Sequence, residues 1–86
     1  MASDRPSVVD GLDVNEVKDG LIVFEPSRDL VHHLNGTAAV VFTLCDGAQD
    51  TATISVLVAK TYGLDETPTR EVEECLEQLR NLGLIR

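Results

Sequence analysis

Two adjacent histidines, His32 and His33, are the side chains in this 86-residue sequence whose type and spacing come nearest to metal or acid–base chemistry. They lie in a run, Asp29 to Leu34, that reads as a strand, and successive strand residues point to opposite faces. One ion cannot easily engage both, no third histidine exists, and no carboxylate is fixed beside them by spacing. They read as surface or groove-lining residues. Cys45 and Cys75 each fall on an apolar helical stripe and lack the Cys-x-x-Cys spacing of a metal or redox site. A nucleophilic thiol needs an activating base and electropositive surroundings, and a stripe position in an acidic chain supplies neither. The two read as small buried hydrophobes in a reducing compartment. Ser27 and Ser55 lack the Asp-Ser-Leu helix start of an acyl carrier, and no Gly-rich phosphate loop is present. With no catalytic residue, no metal ligand set and no cofactor motif, the expectation is a binding protein, not an enzyme.

The formal net charge is −8, from 15 acidic and 7 basic side chains. Nucleic acid is bound through clustered Lys and Arg, whereas the basic residues here are scattered, so nucleic acid is a poor partner. No apolar run approaches the roughly 20 residues that span a bilayer. Met1–Pro6 has neither the basic start nor the apolar middle of a secretory signal, so no membrane partner and a cytoplasmic location are expected. Aromatic content is 3%, which leaves a mostly aliphatic core with Phe24, Phe42 and Tyr62 as its only large rings. A chain of this length forms one small domain that hides only about 60% of its unfolded surface.

The elements that must position these residues change period at one hinge. Residues 1–10, small and polar with Pro6, read as a loose tail before a domain over residues 11–86. Gly11–Val17 and Leu21–Glu25 alternate around Lys18-Asp19-Gly20, a hairpin turn signal. Pro26-Ser27-Arg28 turns the chain again into a third strand, Asp29–Leu34, with Leu30, His32 and Leu34 on one face and Val31 and His33 on the other. From Leu34 to Gly47 the period becomes helical. Asn35 or Thr37 caps a first helix, Thr37–Cys45, with Ala38, Val41, Phe42 and Cys45 as its stripe. A second helix, capped by Asp50 or Thr51, places Ile54, Leu57, Val58 and Tyr62 together and stops at Gly63. A third opens at Thr67-Pro68, with Pro68 at the first helical position. Glu71, Glu73 and Glu74 lie near its positive end, and Val72, Cys75, Leu76, Leu79 and Leu82 form its stripe before Gly83. The pattern is α+β: a three-stranded antiparallel sheet followed by three helices.

Such a sheet leaves an edge uncovered. Exposed edges are normally blunted by Lys, Pro or bulges, and Asp29–Leu34 contains neither Lys nor Pro. It is suited to accept an extended peptide by strand addition.

The hinge also carries a resemblance. Leu34-Asn35, Thr37-Ala38-Ala39 and Asp46-Gly47, with Asp19-Gly20 before them and Leu79-x-x-Leu82-Gly83-Leu84 after, are similar to the PqqD-like family (pyrroloquinoline quinone biosynthesis protein D). These are small recognition elements that hold the leader peptides of ribosomally made, post-translationally modified peptides. The resemblance implies a winged helix-turn-helix-like fold in which the leader adds as a fourth strand beside the third strand and packs against the third helix. Carried over by position, it implies a binding strand of Asp29, Leu30, Val31, His32, His33 and Leu34. Val72, Cys75, Leu76 and Leu79 stand opposite, some of them serving the core instead. Asn35 and Thr37 look structural. The His32-His33 pair departs from the apolar or acidic residues more usual there, which implies an altered peptide preference or binding that weakens as histidines protonate near about pH 6. The implied partners are a precursor leader peptide and a modifying enzyme, such as a radical SAM enzyme, a leader peptidase or a cyclase. The alternatives are a winged-helix DNA-binding protein, disfavoured by the acids around Lys60, Arg70 and Arg80, and a general protein-interaction adaptor.

Overall fold

A computed structural model describes residues 5–86. Three strands, β1 (Asp13–Val17), β2 (Gly20–Glu25) and β3 (Leu30–Asn35), precede three helices, α1 (Gly36–Leu44), α2 (Thr51–Tyr62) and α3 (Thr69–Asn81). The sheet is open and antiparallel in the order β1-β2-β3. The arrangement is α+β, as the change of period implies, and its likeness to a winged helix-turn-helix is loose.

β2 shows why the sheet has an inside. Leu21, Val23 and Glu25 are buried while Ile22 and Phe24 are half-buried. The register pairs Leu21 with Leu34, Val23 with His32 and Glu25 with Leu30, so Leu30, His32 and Leu34 share that inner face. There Val41, Ile54, Val58, Val72 and Leu84 pack without solvent exposure beyond 2%. Gly20 opens β2 because a Cβ at that position would overlap the Leu34 carbonyl oxygen of the neighbouring strand.

Strict alternation delivers a carboxylate, Glu25, to this apolar face. Arg28 compensates it from a single 3₁₀ turn, Pro26–Arg28, donating from Nε to Glu25 Oε2 and from Nη2 to Oε1 at 2.8 Å. The same Nη2 donates to the Leu82 carbonyl at 2.8 Å, so one guanidinium joins the end of the sheet to the end of α3. The turn is closed by Asp29 in the left-handed conformation, φ 53. Asp tolerates this better than most residues. Asp29 therefore ends the turn, and β3 begins at Leu30, one residue later than the sequence pattern suggests.

Of the two residues able to cap each of the first two helices, Asn35 and Asp50 are used. Asn35 Oδ1 accepts from the Ala38 N–H at 3.4 Å and Asp50 Oδ1 from the Thr53 N–H at 2.8 Å. Gly63 stops α2 in the left-handed conformation. Pro68 occupies the N-cap of α3, not its first helical position. The chain before β1 is also engaged. Pro6 is fully buried, Val8 N–H donates to the Cys45 carbonyl at 3.1 Å, Val9 N–H to that of Leu84 at 3.0 Å, and Arg86 N–H to that of Ser7 at 2.9 Å. The loose tail expected over residues 1–10 does not describe residues 6–9; residues 1–4 lie outside the described part.

Candidate functional site

β3 borders the sheet, and its backbone shows what the edge offers. In the Lys18-Asp19 hairpin the flanking pair, Val17 and Gly20, is hydrogen-bonded, and bonded and non-bonded pairs alternate from there. Followed through the β2–β3 register, this turns the N–H and C=O groups of Leu30, His32 and Leu34 toward β2. Those of Val31 and His33 point away from the sheet. Among the described residues no strand pairs with that side of β3.

α3 runs beside this edge. Between them lies a groove of about 490 Å³, walled by His33 and Leu34 of β3, Thr37 and Ala38 of the first turn of α1, and Glu71, Glu74, Cys75, Gln78, Leu79 and Leu82 on α3 or just past its end. Glu71, Glu74, Gln78 and Leu82 recur every three or four residues, so they form one helical row. Arg28, bound to the Leu82 carbonyl, fixes the separation of strand and helix at one end.

The sequence-derived residues divide between this groove and other tasks. Val31 is 64% exposed on the outer face and Leu30 is exposed at the start of the strand. His33 is exposed, and Leu34 is buried but lines the groove. His32 turns inward, its Nε2 3.3 Å from Glu25 Oε1, so the two histidines part to opposite faces. Asp29 lies outside the strand, as described. On α3, Cys75 and Leu79 line the groove, whereas Val72 and Leu76 are buried away from it, 0% and 2% exposed. The Arg28 guanidinium, with a smaller contribution from His32, holds the Glu25 carboxyl below the usual carboxylate range against the opposing effect of burial. Burial, aided by the Glu74 charge, pushes the Cys75 thiol up, which keeps it a protonated, apolar wall. Among the described residues no group of three or more His, Cys, Asp or Glu side chains is placed to hold a metal ion, and no helix is long and apolar enough to cross a membrane.

The family described as coenzyme PQQ synthesis protein D (PqqD) matches this chain over residues 20–85. The chain belongs to the PqqD family. Among curated proteins none matches. Two solved structures are similar in fold, both at 15% identity and a TM-score of 0.78. One is TbiB1 in complex with the TbiA(beta) leader peptide, covering 93% of this chain and 94% of that one. The other is lasso peptide synthetase B1 complexed with the leader peptide, covering 96% and 99%.

The PqqD match begins at the first residue of β2 and takes in β3, α3 and every residue of the groove, leaving β1 outside. Glu71, Glu74, Gln78 and Leu82 form part of the wall but were not among the sequence-derived site residues. The first two read as helix-dipole partners and Leu82 as core. Their shared spacing was the available signal, but without the position of β3 it does not distinguish a groove wall from an ordinary solvated face.

Proposed function

We propose that this PqqD-family chain is a non-catalytic recognition protein that binds the leader of a ribosomally synthesised precursor peptide and presents it to a modifying enzyme. The observation that carries the reading is the unpaired edge of β3 facing α3 across a groove. An incoming extended segment finds two outward N–H donors and two carbonyl acceptors, on Val31 and His33. Its side chains on the inner side find Cys75, Leu79 and Leu82. Strand addition of this kind takes affinity from backbone bonds and register from side-chain pockets. Membership of the family supports it, as does the likeness in fold to two proteins solved with leader peptides bound. The binding set is then Leu30, Val31, His33, Leu34, Cys75 and Leu79, joined by Glu71, Glu74, Gln78 and Leu82. His32 supports the strand from beneath through Glu25, and Asp29 sets where it starts. The chain contributes proximity in place of chemistry: a bound leader raises the concentration of its attached core peptide at the enzyme.

A leader peptide titrated into the Val31→Pro variant tests this. Proline removes an outward donor while leaving the β2–β3 bonds in place. Retained fold with lost binding is the expected result; a folded variant that binds normally overturns strand addition at this edge. DNA binding is not favoured, because the exposed face of α3 carries Glu71, Glu73, Glu74 and Glu77.

A further inference from the structure

We propose that the groove continues past the end of β3 into a second subsite, which takes a large apolar side chain and an adjacent basic residue of the same bound peptide. This rests on the leader-binding reading above and extends it from the strand to a neighbouring stretch of the ligand.

Thr37 and Glu71 line both the β3–α3 groove and a larger hollow of about 720 Å³ beyond it, so the two are continuous. A peptide that leaves the edge strand along α3 passes directly into it. Val58 and Val72, both buried, form the floor, and Tyr62, Leu64 and Pro68 the sides. Tyr62 and Leu64 are 46% and 47% exposed. In a chain with three aromatic residues, one ring is left facing this hollow beside an exposed leucine. Gly63, left-handed with φ 64, turns the chain between them. The apolar hollow is large enough for an aromatic or branched aliphatic side chain.

The rim defines what accompanies that side chain. Asp65, Glu66 and Glu71 line the hollow, Glu71 and Glu74 the adjoining groove, and neither lining contains a Lys or Arg. A cationic side chain next to the apolar anchor meets complementary charge, while an acidic one meets repulsion; such complementarity fixes register and suppresses wrong partners. The occupant is therefore an apolar–basic step of the leader, outside the residues that pair with β3.

The test uses the full chain and the synthetic, fluorescein-labelled leader peptide encoded beside its gene, read by anisotropy. Leu64→Glu should weaken binding about 10-fold, as expected for loss of a buried anchor contact. The double change Asp65→Lys, Glu66→Lys should weaken it about 5-fold, with the loss shrinking as salt rises. These side chains are exposed, so thermal melts should remain near those of the unchanged protein. An alanine scan of the peptide should then find one apolar residue whose replacement costs affinity against the unchanged protein but not against Leu64→Glu, the signature of a direct pair. If Val31→Pro abolishes binding while Leu64→Glu and the double variant bind normally, the second subsite is wrong and the leader-binding reading stands. If Leu64→Glu weakens binding but no peptide residue is coupled to it, the subsite is also wrong. If the unchanged protein does not bind the leader, both fall together.

Discussion

β1 and β3 border the same sheet, and the contrast between them bears on why β3 is the edge proposed to bind. Every residue of β1 is exposed, including Val14 and Glu16 on the side that faces the helices. Glu16 and Val17, at its end, share a hollow of about 530 Å³ with α1 and Tyr62, and the acids Asp13 and Glu16 lie along the strand. β3 has Leu34 buried, His32 engaged by Glu25, and α3 drawn up beside it. Both strands present outward backbone groups. The hollow beside β3 is walled by the row along α3, whereas the one beside the end of β1 is walled by α1 and the Lys18-Asp19 turn. Backbone bonding capacity is common to any edge, and charge on β1 makes strand pairing there unfavourable. On the proposed reading, the α3 wall supplies selectivity.

The sharpest way to break this comparison is to place the same lesion on both edges. Val31→Pro should weaken leader binding by about 30-fold or more, on the scale of an interface hot spot. Val14→Pro, which by the same alternation removes an outward donor from β1, should change it by less than about 2-fold. Equal losses would mean that proline disturbs the sheet and not the edge; circular dichroism of both variants separates these cases. Next in size, Leu82→Asp puts a charge on the groove wall and should weaken binding about 10-fold, measured by the same titration. The Leu82 carbonyl bond to Arg28 uses backbone and is retained. A smaller effect should appear at Cys75: bound leader should slow its alkylation by iodoacetamide several-fold, and the Val31→Pro variant should show no such protection.

The smallest effect on binding is expected from Glu25→Gln, whose readout is stability. Because the folded protein holds Glu25 below its ordinary value of 4.5, this carboxylate contributes stability fully above that value. The contribution is lost as pH falls through the folded value. Thermal melts from about pH 3 to 7 should show the variant less stable near neutrality and the difference closing in acid. A difference that persists in acid would assign the effect to packing and not to ionisation.

Much of this arrangement is local, and local patterns were legible. The alternation in Leu21–Glu25, the hinge at Asn35, the Asp50 cap and the Gly63 stop each depend on neighbours within four residues, and each stands as the pattern implies. What escaped depends on specific partners, near or far, that periodicity does not mark. Alternation alone places Glu25 in the core without showing that Arg28 and His32 compensate it. Alternation extends the strand to Asp29, whereas its left-handed conformation is set by the 3₁₀ turn, where its N–H donates to the Pro26 carbonyl. The bonds that hold residues 7–9 run to Cys45, Leu84 and Arg86, beyond any periodicity. The edge strand was visible as a candidate site, and half of its wall was visible as an apolar stripe. The acidic and polar row of Glu71, Glu74 and Gln78 was not, because a solvated face and a groove wall are written with the same residues.

The pairing of Ser7 with Arg86 has a consequence for assembly. The chain enters and leaves the domain side by side, and neither of these segments lines the groove. A linker or catalytic domain attached at either end would thus be anchored at nearly the same point and sweep nearly the same volume around the occupied groove. Fusion order becomes interchangeable: an enzyme placed before the domain and one placed after it face the same geometric problem in reaching a peptide held as proposed.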